Sequence, residues 1–142
     1  MPVIRVGHDG LLLAIIIQAD FASPGVHFLT SDSFSQQLAF MRHPTGKRIP
    51  PHIHNAVTRE VVYTLEALFI RKGRLRVDFF DKSCSYCHSR ILSAGDAILL
   101  VAGGHGFEIL EEIEMIEVKQ GPFSGDRDKT RFETAHTLEI RK

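Results

Sequence analysis

The sequence predicts an all-β fold, an antiparallel barrel with little helix. Arg74 to Asp81 alternates apolar and polar residues, and Leu11 to Ile17 is an uninterrupted apolar run. Residues 91–117 continue with short apolar segments that glycine or charged turns separate. Short strands in succession, without helical segments between them, favour an antiparallel barrel over alternating strands and helices.

Composition excludes several classes of protein. The chain has 142 residues, which suits one domain with a real core. Its 17 Lys and Arg balance 17 Asp and Glu, so no basic field is available to hold nucleic acid or an anionic membrane. The run Leu11–Ile17 is far shorter than the roughly 20 residues of a membrane helix, and it lacks a signal cleavage site. We therefore expect a cytoplasmic protein that acts on a small molecule.

The first half of the chain predicts short elements separated by turns. Leu11–Ile17 is typical of a strand buried on both faces. After the turn Ser23–Gly25, residues 26–29 predict a short strand. Residues 30–35 predict one brief capped helical turn, and 37–43 alternate as a further strand.

Potential metal ligands lie at strand spacing in the centre of the chain. His52 and His54 are two apart, so on a strand both side chains would point to one face. Glu66 would share its face with apolar residues of a strand over 64–71, and a carboxylate in such a place needs a partner. Two imidazoles and a carboxylate are the ligand set of open divalent transition-metal sites. His105, which follows the glycine turn at 103–104, is a further candidate ligand.

The second half predicts a chain of hairpins. Lys72–Gly73 is expected to form a tight turn between the Glu66 strand and the Arg74 strand, and Glu111–Glu112 a turn further along. Residues 120–131 predict an outer loop, and 132–140 an edge strand.

The two cysteines lie in the pattern Cys84-x-x-Cys87-His88, the spacing of haem attachment and of some redox or zinc sites. The pattern falls where the chain must reverse between two strands, and no second cysteine pair is present to complete a zinc tetrahedron. We interpret Cys84 and Cys87 as reduced thiols in a turn, and their role stays open.

Residues 46–73 resemble the first motif of the cupin family. That motif runs glycine, five residues, His-x-His, a short spacer, glutamate, six residues and glycine, and the matching positions are Gly46, His52, His54, Glu66 and Gly73. The spacer differs, because eleven residues separate His54 from Glu66. Glu60 lies nearer the usual distance and is the alternative carboxylate, although Ala67 and not glycine follows it at the later position.

Residues 95–107 resemble the second cupin motif, a glycine followed by a strand, a turn and a histidine. Gly95, the strand Ala97–Val101 and His105 fit it, with one residue fewer and no proline at the turn. The resemblance implies a single cupin domain over 1–142 with a double-stranded β-helix, the jelly-roll barrel. It further implies one divalent metal, Fe, Mn, Ni, Zn or Cu, held by His52, His54, Glu66 and His105 with positions left for substrate.

The resemblance also suggests an enzyme whose metal acts as a Lewis acid on a small oxygen-rich substrate. A sugar or sugar nucleotide, with isomerase or epimerase chemistry, is the preferred class. The acid or base candidates are Glu60, Tyr63 and His43, and the substrate-contact candidates are Arg42, Arg48, Arg71 and Gln37. An Fe(II)-dependent dioxygenase and a non-catalytic module that binds or senses a small ligand are the alternatives. We expect a homodimer that pairs through the strand Leu11–Ile17.

Overall fold

The computed structural model describes residues 3–134 and 141, and these residues form strands, turns and loops without a helix. The predicted all-β class is confirmed. The edge strand predicted over 132–140 lies, from residue 135 on, outside the described residues. The strands are β1 Val3–His8, β2 Leu11–Ile17, β3 Gly25–Phe28, β4 Ala39–Arg42, β5 Glu66–Phe80, β6 Tyr86–Ser93, β7 Ala97–Leu100 and β8 Gly104–Lys119. Within this described part, no helix of the length and apolarity that crossing a membrane requires is found.

The chain forms two compact units. Residues 1–21 together with 63–142 form the first, which we call the sheet unit. Residues 22–62 form the second, which we call the hairpin unit.

The sheet unit is one antiparallel sheet with the strand order β1-β2-β7-β5-β6, in which β8 also pairs with β5. Its apolar face is a single core. The alternation predicted over 74–81 is confirmed, because Leu75, Val77 and Phe79 are at most 1 % exposed. Leu13 and Ile98 from the neighbouring strands pack into the same core.

The register of β5 with β8 shows that the sheet is strongly curled. His105 is opposite Phe79, thirteen residues beyond Glu66 on β5. A straight strand would separate those positions by about 43 Å. Yet Nε2 of His105 lies 3.7 Å from Oε1 of Glu66. The paired strands therefore curl back on themselves as half of a barrel wall, and this curl brings the two side chains together.

Gly73 lies at the centre of the curl. The predicted hairpin at Lys72–Gly73 is wrong, because β5 runs unbroken through both residues. The register with β8 shifts on either side of Lys72 and after Arg74, which is a run of β-bulges. Gly73 has φ +91°, and a Cβ there would lie 2.0 Å from the carbonyl oxygen of Glu112. Only glycine permits that backbone angle and that approach of the two strands.

Two further expectations change. The predicted turn at Glu111–Glu112 is wrong, since β8 runs through it for 16 residues. The strand predicted over Leu11–Ile17 is confirmed, but β1 and β7 pair with its two edges. It is therefore an interior strand and offers no free edge for dimer pairing, and the homodimer itself stays a prediction.

The hairpin unit contains β3 paired with β4, from Gly25 opposite Arg42 to Phe28 opposite Ala39. These are the two strands predicted over 26–29 and 37–43, with shorter bounds. Residues 30–35 form turns and no helical turn. Residues 43–62 contain no strand, so the expected strand around His52 and His54 is wrong. Three prolines, at 44, 50 and 51, lie in this segment, and each removes a backbone donor that a ladder would need.

Candidate functional site

The sheet unit brings together two of the predicted metal ligands, Glu66 and His105. Glu66 is the first residue of β5 and His105 is the second residue of β8. Their side chains are 18 % and 28 % exposed, and Oε1 and Nε2 are 3.7 Å apart. The pair is thus a polar, partly buried contact at one end of an apolar sheet.

The strands fix the position of Glu66. It lies between Leu100 of β7 and Lys119 of β8, in register with both. Leu68 and Ile70, two and four residues further along β5, are each 3 % exposed. The predicted apolar stripe is therefore confirmed, and the carboxylate lies at its end.

A tight turn positions His105. Gly103 has φ +71°, and a Cβ there would lie 2.4 Å from the carbonyl oxygen of Phe80. The turn can therefore pack directly on the end of β5 only with glycine at this position. The ring of His105 lies beside that of Phe107, with 5.5 Å between the centroids.

Glu117 completes the cluster. Interaction with the neighbouring carboxyl group of Glu66, together with burial, raises the pKa of Glu117. The interaction with the nearby His105 imidazole is the main cause that lowers the pKa of Glu66 to about 2, against the opposing effect of burial. Glu66 is thus the ionised carboxylate, and Glu117 is the group that more readily carries a proton. Sequence patterning favours an outward glutamate at 117, and the residue is exposed. Its proximity to Glu66 follows only from the register of β5 with β8.

A metal ion fits the spacing of this cluster. Two ligands of a tetrahedral ion with bonds of about 2.1 Å lie about 3.4 Å apart. The 3.7 Å between Nε2 of His105 and Oε1 of Glu66 exceeds that by a few tenths of an ångström. Imidazole nitrogen and carboxylate oxygen are also donors that Zn, Fe, Mn, Ni and Cu accept.

The other two predicted ligands, His52 and His54, belong to the hairpin unit. Both are exposed, and their ring centroids are 5.2 Å apart. Nδ1 of His52 is 3.0 Å from the carbonyl oxygen of Pro50 and is its hydrogen-bond donor. The two imidazoles are thus neighbours despite the missing strand, and their role as ligands stays a prediction.

The hairpin unit has its own open cleft of about 590 Å³. It brings together two candidates, Gln37 and Glu60, with Arg59 beside them. The amide of Gln37 is engaged within the loop: its nitrogen donates to the carbonyl oxygens of Ser31 and Phe34, and its oxygen accepts from Thr30. This bonding shapes the wall of the cleft, whose lining also contains the ionisable groups Glu60, Arg59 and Asp32.

The remaining candidates lie at the surface of the two units. In the hairpin unit these exposed residues are Arg42, His43 and Arg48, and in the sheet unit they are Tyr63 and Arg71. Their roles stay predictions.

Cys84 and Cys87 are free thiols with different surroundings. Cys84 is exposed in the turn between β5 and β6, with φ +64°. Cys87 lies within β6 and is 5 % exposed, and burial raises the pKa of its thiol. The prediction of a turn is confirmed for Cys84, whereas Cys87 is a buried strand residue.

Comparisons with protein-family models, with curated proteins and with solved structures find no match to this chain.

Proposed function

We propose that the protein is a metal-dependent enzyme in which Glu66 and His105 hold one divalent transition metal. The observation that supports this proposal is the 3.7 Å contact between the two side chains. The curl of β5 and β8 creates this contact between residues that are 39 positions apart in the sequence. Both residues are matching positions of the motifs that resemble cupins. This agreement between motif and geometry supports the finer fold proposal, a cupin jelly-roll barrel of which the curled sheet is one wall.

The proposed reaction is isomerisation or epimerisation of a small oxygen-rich substrate such as a sugar or sugar nucleotide. A bound divalent ion would act as a Lewis acid that polarises a carbonyl or hydroxyl group. Glu66, as an ionised carboxylate, and His105 supply two of the ligand atoms. Glu117, with its raised pKa, is the residue of this cluster suited to hold and release a proton.

Metal binding is tested first, by calorimetric titration of the untagged, chelator-treated chain with Mn²⁺, Fe²⁺, Ni²⁺, Zn²⁺ and Cu²⁺. Glu66→Gln and His105→Ala are expected to weaken one metal site by about 100-fold or more, since loss of an orienting partner alone costs 10- to 100-fold. Glu114→Gln, at an exposed glutamate of β8, and His27→Ala are the control variants and should leave the affinity unchanged. Equal affinity in all five proteins would refute the site.

Turnover is tested by solvent deuterium incorporation into a panel of sugars and sugar nucleotides, followed by NMR. The proposal predicts exchange at a carbon next to a carbonyl group, equally fast with and without oxygen, and lost in His105→Ala. Oxygen uptake on addition of substrate would instead support the alternative function, an Fe(II)-dependent dioxygenase. Binding of metal and ligand without deuterium exchange and without oxygen uptake would support the other alternative, a non-catalytic module that senses a small ligand.

A further inference from the structure

The sheet unit contains a second cluster of side chains that could bind a metal. This cluster differs from the Glu66 and His105 pair because it includes a sulfur atom. Ligand atoms of His8, Asp81 and Cys87 all lie within 4.8 Å of one another. His8 ends β1, Asp81 follows β5, and Cys87 lies in β6. The three residues thus come from distant parts of the sequence, and folding alone gathers them.

The cluster lies where the two ends of the sheet meet. β1 and β6 are the first and last strands of the order β1-β2-β7-β5-β6. Nevertheless, Nε2 of His88 on β6 donates to the carbonyl oxygen of Gly7 on β1 at 2.9 Å. The rings of His8 and His88 are 6.0 Å apart. The curl therefore brings β1 and β6, the two ends of the sheet, into side-chain contact. We call this contact region the seam, and the cluster lies there.

Backbone irregularities lie next to two of the ligands, Cys87 and His8. Phe79 is opposite His88 and Phe80 is opposite Tyr86, so Cys87 is the extra residue of a β-bulge. A bulge turns its extra residue out of the normal alternation, and Cys87 is buried there. The hairpin of β1 and β2 has a similar irregularity between Val6 and Gly7, just before His8.

The carboxylate of Asp81 is held in place by the turn that follows it. Its Oδ1 accepts from the backbone amides of Ser83 at 2.8 Å and Ser85 at 3.0 Å. These bonds fix the carboxylate and leave Oδ2 as the oxygen for an external partner. The carboxylate of Asp9 lies 3.4 Å from Nε2 of His8, the kind of partner that orients an imidazole ligand.

We propose that His8, Asp81 and Cys87 bind a borderline-soft divalent ion such as zinc, which joins the first and last strands of the curled sheet. One nitrogen, one oxygen and one sulfur suit zinc, and three protein ligands leave a fourth position for water. Sulfur and nitrogen ligands of tetrahedral zinc lie about 3.5 Å apart, so closing the cluster from its present spacing needs shifts of about 1 Å. The ion would stabilise the seam by linking strands that side chains alone now connect.

Cobalt(II) titration of the chelator-treated full chain tests this site separately from the one at Glu66. Thiolate bound to Co²⁺ gives a near-ultraviolet charge-transfer band, which the sulfur-free Glu66 and His105 site cannot produce. We expect the band in the wild type, its loss in Cys87→Ser and its displacement by Zn²⁺. Cys84→Ser is the matched control, the same residue type in the adjacent turn, and should keep the band.

His8→Ala guards against a folding artefact, because its side chain is 37 % exposed and contributes little to the core. This variant should stay folded by circular dichroism and weaken Co²⁺ binding more than about 10-fold. Zinc should raise the melting temperature of the wild type by more than that of Cys87→Ser or His8→Ala, which keep only the Glu66 and His105 site. Absence of the band in the wild type, its survival in Cys87→Ser, or its loss in Cys84→Ser would each overturn the proposal.

Discussion

Replacing Gly73 with alanine tests whether the curl of β5 and β8 creates the Glu66 and His105 contact. Two costs follow from the structure. A φ of +91° is unfavourable for an L side chain by about 1–2 kcal/mol. The new Cβ would also lie 2.0 Å from the carbonyl oxygen of Glu112, and relieving such overpacking costs about 1–3 kcal/mol. We expect Gly73→Ala to lower the free energy of unfolding by about 2–5 kcal/mol in total.

Gly10→Ala is the matched control for the backbone term. Gly10 has φ +76° in the turn between β1 and β2, but a Cβ there would meet nothing within 4 Å. Its cost should be the backbone term alone, about 1–2 kcal/mol. Urea denaturation of both variants gives the difference, which measures the close approach of the strands.

The same variant should also lose metal affinity. If Gly73→Ala straightens the bulged region, Glu66 and His105 separate and the metal site weakens, whereas Gly10→Ala leaves it unchanged. Equal destabilisation by the two variants, or full metal affinity in Gly73→Ala, would refute the role assigned to the curl.

Three further predictions concern stability. In the metal-free protein, the lowered pKa of Glu66 stabilises the fold above about pH 4.5 and this contribution is lost as the pH falls towards about 2. The upper limit of this contribution is about 3 kcal/mol, and the raised pKa of Glu117 reduces it. Glu66→Gln should therefore weaken the dependence of the free energy of unfolding on pH below about pH 4.5. Asp78→Ala removes the acceptor 2.8 Å from Nε of Arg76, a pair 15 % and 11 % exposed, and should cost about 3 kcal/mol in urea denaturation. Ile98→Ala, at a fully buried position, should cost about 2–5 kcal/mol in the same assay.

Each of these three predictions would be contradicted by a specific result. An unchanged acid limb in Glu66→Gln would show that the carboxylate has no special partner in the native state. A cost below about 1 kcal/mol for Asp78→Ala would place that ion pair among ordinary surface pairs. A similarly small cost for Ile98→Ala would show that the apolar face of β7 is not the packed core described above.

The strands that sequence patterning predicts well are those whose signal is local. The apolar run of β2 and the alternation over 74–81 depend on neighbouring residues only, and both are confirmed. Gly73 shows the limit of such reasoning. A glycine with positive φ suits a hairpin turn and a bulge equally well, and the choice depends on β8, whose pairing with β5 is long-range.

The candidate site was predictable to a similar extent. Motif spacing singles out Glu66 and His105, and the curled sheet brings them together. Glu117 has no motif signal, because its contact with Glu66 arises from the register of two strands. His52 and His54 fit the motif but lie in a segment without a strand, where neighbouring prolines outweigh the two-residue spacing.

Anomalous diffraction from crystals of the untagged protein grown with Mn²⁺ or Zn²⁺ tests the central claim most directly. The account predicts a peak about 2.0–2.2 Å from Nε2 of His105 and from a carboxylate oxygen of Glu66. Ordered side chains at these two residues with no peak between them, in crystals that contain the ion, would contradict it.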